Sequence, residues 1–153
     1  MRIYFDACCV NRLTDDQTQE RILREAEAIE KLIGFATAES NTWVGSAVLE
    51  AEIARNPDVG RREDAQVLLA FAKQVVKPDR GIVIRGRELS EMGFSEFDAL
   101  HLACAEAGRA DVFLTTDDRL IRRANRWANR LAVRVLNPVS FLGEVKNANP
   151  RNE

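Results

Sequence analysis

The runs Ile3-Tyr4-Phe5 and Val112-Phe113-Leu114 are apolar at every position. A strand with one wet face alternates apolar and polar residues, whereas a strand without alternation is covered on both faces. Helical periodicity separates these runs. From Gln19 to Thr37 the residues Ile22, Leu23, Ala26, Ile29, Leu32 and Ile33 recur at spacings of three and four. Short strands over Thr42–Gly45 and Ala132–Leu136 continue the alternation, as do helices over Ala47–Arg55, Arg62–Gln74, Glu96–Ala107 and Asp117–Ala128. Strands alternating with helices predict an α/β fold, with a central parallel sheet of about four to five strands between helical layers.

Local punctuation supports these boundaries. Ser46 and Ser95 are good N-caps, Gly93 and Gly108 close segments, and Asn56-Pro57-Asp58 breaks a helix. In the helix over Arg62–Gln74, Val67, Leu68, Phe71 and Ala72 are expected to face inward. Residues 82–92 support either a strand, from Ile82-Val83-Ile84, or a short helix, from Arg87–Met92. Pro138 starts a final helical turn through Leu142. A length of 153 residues fits one domain, expected over 1–145, followed by a polar tail over 146–153.

Bulk properties narrow the function. The net charge of −2 excludes a molecule that is a polycation overall, so any nucleic-acid contact must be a local patch. No apolar run approaches the ~18 residues of a membrane span, and the opening Met1-Arg2-Ile3-Tyr4-Phe5-Asp6 lacks the apolar core of a signal peptide. The three cysteines have no zinc spacing and read as reduced thiols in a cytoplasmic protein without a membrane partner.

Acids stand where such a sheet opens. Ligands of open α/β sheets bind beyond the carboxyl ends of the strands. Asp6 closes the first apolar run, with no evident cap to make, and Asp117 and Asp118 follow Thr115-Thr116 after the second. If the two strands are neighbours, these acids address one place. Asp98 opens a helix populated by Phe97, Ala99, Leu100, Leu102 and Ala103, so its carboxylate is expected to be buried and to need a partner. Glu50 and Glu52 are ~200° apart around a helix axis, so one of them at most faces the site. Clustered carboxylates raise one another's pKa. A hard divalent cation reverses that penalty, because Mg²⁺ takes oxygen ligands directly and through water, and its chemistry is phosphoryl transfer by activated water. Taken singly, each acid has a plainer role: Asp98 in a first helical turn, Asp117 as an N-cap, Glu50 and Glu52 in solvent.

The stretches "IYFDACCVNR", "SAVLEAEI", "FDALHLACA" and "LTTDDRLIRRA", in that order, make the chain resemble the PIN domain, the nuclease fold of the toxins in VapBC-type toxin–antitoxin pairs. The resemblance spans nearly the whole chain and implies a PIN-like three-layer α/β/α fold. It implies an acidic set of Asp6, Glu52, Asp98 and Asp117, with Asp6, Asp98 and Asp117 as metal-site residues and Thr115 as a supporting hydroxyl. Glu52 is favoured over Glu50 because the family glutamate lies six after the serine and before an aliphatic residue, here Ile53. Asp118 is the rival of Asp117. The family's hydroxyl after the first aspartate is missing, since Asp6-Ala7-Cys8 stands there, and Asp15 and Asp16 fit no family position.

What the resemblance implies is a Mg²⁺- or Mn²⁺-dependent endoribonuclease cleaving single-stranded RNA, paired with an antitoxin protein and assembled as a homodimer. Six arginines and no acid lie between Arg119 and Arg134, and Arg119, Arg122 and Arg123 are candidates for phosphate binding. His101, three residues after Asp98, reads as a packing or supporting residue rather than a Mg²⁺ ligand. Two other classes compete. One is a non-cleaving RNA- or protein-binding PIN-like module. The other is a phosphorelay receiver, which needs a phosphorylatable mid-chain Asp and a late Lys after a strand, and neither stands out.

Overall fold

The computed structural model describes residues 1–151. Asn152 and Glu153, the end of the expected polar tail, lie outside the described residues. Five strands form one parallel sheet: β1 (Arg2–Phe5), β2 (Thr42–Ser46), β3 (Gln74–Val76), β4 (Val112–Leu114) and β5 (Arg134–Leu136), in the order β3-β2-β1-β4-β5. The expected sheet between helical layers is therefore present, with the strand count at the upper end of the expected range. The unalternating runs are the centre. β1 pairs with β2 on one side and β4 on the other, with Phe5 opposite Leu114, and its residues Ile3, Tyr4 and Phe5 are fully buried.

Successive strands step outward from β1 through β2 to β3, and the chain then crosses back to place β4 on the other side of β1. This reversal opens a crevice at the carboxyl ends of β1 and β4, the place where open α/β sheets bind ligands. The condition set by the sequence is met: the strands that carry Asp6 and Asp117 are neighbours.

Among the described residues, eight α-helices cover the sheet: α1 (Ala7–Arg12), α2 (Glu20–Ala36), α3 (Ala47–Ala54), α4 (Val59–Leu69), α5 (Arg80–Glu91), α6 (Glu96–Ala107), α7 (Asp118–Arg126) and α8 (Pro138–Ala148). Side-chain caps set their starts. Ser46 accepts from Leu49 N at 3.0 Å and Asp79 from Ile82 N at 2.9 Å. The latter resolves residues 82–92 in favour of helix. Asp58 caps Arg61 N at 3.1 Å, which starts α4 at Val59 rather than at Arg62. The helix ends at Leu69; Ala65 and Leu69 are buried, Leu68 and Ala72 pack against the core as expected, and Val67 and Phe71, expected inside, are 65% and 59% exposed. The chain then turns into β3, an edge strand absent from the sequence reading. At the far end α8 runs through Ala148, past the expected turn at Leu142, because Leu142 and Val145 pack against the core. Among the described residues, no helix is long and apolar enough to cross a membrane.

Candidate active site

The carboxylate of Asp6 is anchored from several sides. Its backbone N donates to Leu114 O at 2.9 Å, which continues the β1–β4 ladder one residue past the strand. Oδ1 accepts from Ala7 N at 2.8 Å, so Asp6 is the N-cap of α1, a role the sequence did not reveal. Oδ2 accepts from the Thr115 hydroxyl at 2.9 Å and the Cys8 thiol at 3.4 Å. The positioning hydroxyl missing after Asp6 is thus supplied from β4's end by Thr115, with Cys8 beside it at 3.3 Å. Thr115 also accepts from Asp117 N at 3.1 Å, so one hydroxyl ties two acids together.

Asp117 is the N-cap of α7, with Oδ1 accepting from Arg119 N and Leu120 N at 3.0 and 3.3 Å. Its carboxylate is exposed and lines a cleft of about 290 Å³ with Asp98, Ser95, Gly93, Arg119 and Arg123. Asp118 is engaged elsewhere, by the Arg21 guanidinium at 2.9 and 3.0 Å, and this separates it from Asp117. Asp15, without a family position, pairs with Arg12 at 3.0 Å and with Arg61, tying α1 to α4.

Glu52 and Glu50 separate as helix geometry requires. Glu52 Oε2 meets His101 Nε2 at 2.6 Å, while Glu50 lines a groove between α3 and α4. Ligand atoms of Asp6, Glu52 and His101 all lie within 4.8 Å of one another, close enough for one ion. Asp98 and Asp117 lie outside that trio, so the acids expected to act together divide into a compact group and an adjoining cleft.

Electrostatics couple the two. Burial, with the field of Glu52, pushes the Asp6 carboxyl above its ordinary pKa, although His101, Thr115 and Cys8 oppose the rise. Asp98 is half-buried, and burial followed by the fields of Asp6 and Asp117 raises it too. On His101 burial works against the charged form, but the hydrogen bond to Glu52 and the fields of Asp6, Glu52 and Asp98 outweigh it and raise its pKa. Burial and like charge thus both work against ionising the acids at this end of the sheet. Both ring nitrogens of His101 are engaged, by Tyr4 and Glu52, so the donors left for an ion are carboxylate oxygens, which suit a hard divalent cation.

A flank of cationic surface adjoins the acids. Among the described residues, no carboxylate lies within 4.0 Å of the Arg119, Arg122 or Arg123 guanidinium groups. On the other side of Asp117 a second cleft, of about 460 Å³, is lined by Arg12, Arg21, Arg119 and Arg122.

The family model for the PIN domain matches residues 3–126, and the chain belongs to that family. Solved structures agree on the fold. VapBC-1 from nontypeable Haemophilus influenzae superposes with a TM-score of 0.59 at 14% identity, covering 90% of this chain and 98% of that one. A toxin–antitoxin complex from Klebsiella pneumoniae gives 0.55 at 17% identity, with 89% and 97% covered. VapBC2 from Rickettsia felis, bound to a DNA fragment from its promoter, gives 0.59 at 11% identity, with 90% and 98% covered. No curated protein matches the chain in sequence.

Proposed function

We propose that this PIN-domain protein is a Mg²⁺- or Mn²⁺-dependent endoribonuclease that hydrolyses phosphodiester bonds in single-stranded RNA. The observation that carries the reading is the gathering of Asp6, Glu52, Asp98 and Asp117 around the crevice between β1 and β4. Asp6 and Asp98 are both raised by burial and by neighbouring carboxylates, and Glu52 and His101 stand within ligand distance of Asp6. A divalent cation held at such a centre supplies a Lewis acid that screens phosphate charge and acidifies water.

The chain's own groups have distinct tasks in this reading. Asp6, Asp98 and Asp117 are the metal-site acids of this reading, with Glu52 within ligand distance of Asp6 and with Asp98 and Asp117 in the adjoining cleft. Glu52 and Asp117 accept hydrogen bonds from water and aim it at the phosphorus. Thr115 holds Asp6 and Asp117 in fixed relation, consistent with its two hydrogen bonds. Arg119, Arg122 and Arg123 take the flanking phosphates, which sets register without reading bases.

The reading extends to partners. The structural neighbours are VapBC and toxin–antitoxin assemblies, which favours a toxin held by an antitoxin protein, and a homodimer in the cytoplasm is proposed with it, as the family resemblance implies. The three free thiols agree with that compartment.

The test is cleavage of several unstructured RNAs with Mn²⁺ or Mg²⁺. Wild-type protein is expected to cut, chelation to stop it, and Asp98→Asn to lower the rate at least about 100-fold. No cleavage of any RNA by folded wild-type protein would replace this reading with a non-cleaving binding module. Undiminished cleavage by Asp98→Asn would remove the assignment of that residue.

A further inference from the structure

Glu52 is the exposed member of the compact trio, with 38% of its side chain open to solvent, and a surface glutamate ordinarily samples many rotamers. Here it ends a buried chain of hydrogen bonds. Ser46 Oγ lies 2.6 Å from Tyr4 Oη, Tyr4 Oη lies 2.7 Å from His101 Nδ1, and His101 Nε2 lies 2.6 Å from Glu52 Oε2. Ser46, Tyr4 and His101 are each 1% exposed or less. With a neutral imidazole the donors run one way: Ser46 O–H to Tyr4, Tyr4 O–H to His101 Nδ1, and Nε2–H to Glu52. Every link then donates once, and Ser46 still accepts from Leu49 N at 3.0 Å.

The anchors belong to the buried centre of the sheet. Tyr4 is in the central strand, its ring stacked on Phe113 with centroids 5.1 Å apart and edge-on to His101 at 5.9 Å. Ser46 ends β2 and caps α3, the helix that carries Glu52. The imidazole therefore cannot turn without breaking a bond at one end or losing aromatic packing at its flank.

We propose that Tyr4 and His101 are positioning residues that hold the Glu52 carboxylate in one orientation beside Asp6, so that it engages a divalent cation or its water without a search among rotamers. This inference rests on the metal-dependent reading above. Groups that orient ligands to a metal in this way are commonly worth about 10–100-fold in metal affinity.

The test is a double-mutant cycle read by Mn²⁺ rather than by cleavage. The half-saturating Mn²⁺ concentration is measured from the thermal shift of wild type, Tyr4→Phe, Glu52→Ala and the double variant. Melting without metal reports folding. Tyr4→Phe keeps the ring and removes only the hydroxyl, and it is expected to raise the half-saturating concentration roughly ten-fold. In the Glu52→Ala background the same change is expected to do nothing further. If Tyr4→Phe does not fold, His101→Gln takes its place in the cycle with the same expectation. Wild-type affinity in the single variant overturns the inference alone. So does an equal loss in both backgrounds, which would mean that the chain acts without Glu52. No Mn²⁺ shift in wild type overturns this inference together with the function on which it rests.

Discussion

Asp6 and Asp98 both have pKa values raised from 3.8, each chiefly by burial. An acid with a raised folded pKa binds its proton more tightly when folded. Its stabilising contribution is complete below the unfolded pKa and is lost as pH rises through the folded one. The metal-free protein is therefore expected to lose stability as pH climbs from about 4 through the raised values, and Mn²⁺ is expected to restore it at neutral pH. Asp98→Asn separates stability from function. It removes a partly buried charge and then like-charge repulsion, so the metal-free variant is expected to gain up to about 1 kcal/mol after solvent screening, or a Tm rise of about 2–4 °C, while losing cleavage. A lower Tm would show that the repulsion is not felt. Residue-scale legibility was uneven for a physical reason. Asp6 and Asp117 stand at strand ends and Asp98 in a helical turn, positions that local pattern reveals. The Tyr4–His101 contact spans 97 residues, and local pattern is blind to it. Its one signal was chemical: a hydroxyl in a fully buried strand and an imidazole in an apolar helix both require partners.

At the scale of elements, β2, β5, α3 and α7 were legible in advance, but the clearest signals were long or unmixed apolar patterns. β1, β4, α2 and α6 fall in this group. The six-residue α1 was hidden because its cap is the acid that ends β1, so the chain turns from strand to helix without a linker. β3 was hidden because three residues carry too little pattern, and its form comes from pairing Val44 with Gln74 and Ser46 with Val76. Both elements exist through neighbours rather than propensity. The seam where α6 ends against the sheet is correspondingly tight. A Cβ added at Gly108 would stand 2.6 Å from Val44 Cγ1 and 2.9 Å from Val76 Cγ2. Gly108→Ala is expected to destabilise the protein by about 1–3 kcal/mol through overpacking, read as a lower denaturation midpoint with an unchanged slope. An unaffected midpoint would mean that β2 and β3 yield easily there.

For the molecule as a whole, an acidic crevice flanked by arginines without an ion-pair partner among the described residues would reconcile a net charge of −2 with the proposed RNA substrate. Affinity from such a flank is ionic and salt-dependent. Replacing Arg119 and Arg122 together by Ala is expected to weaken binding of unrelated RNAs alike, and to flatten the slope of log affinity against log salt by about 0.7 per contact removed. An unchanged slope would locate the RNA elsewhere. The expectations about cleavage depend on the crevice holding a divalent cation, and calorimetric titration of Mn²⁺ tests that directly. Wild-type protein is expected to bind saturably, and Asp6→Asn, folded to the same extent, is expected to lose that binding. Equal heats from the two proteins, or no binding by the wild type, would contradict the account.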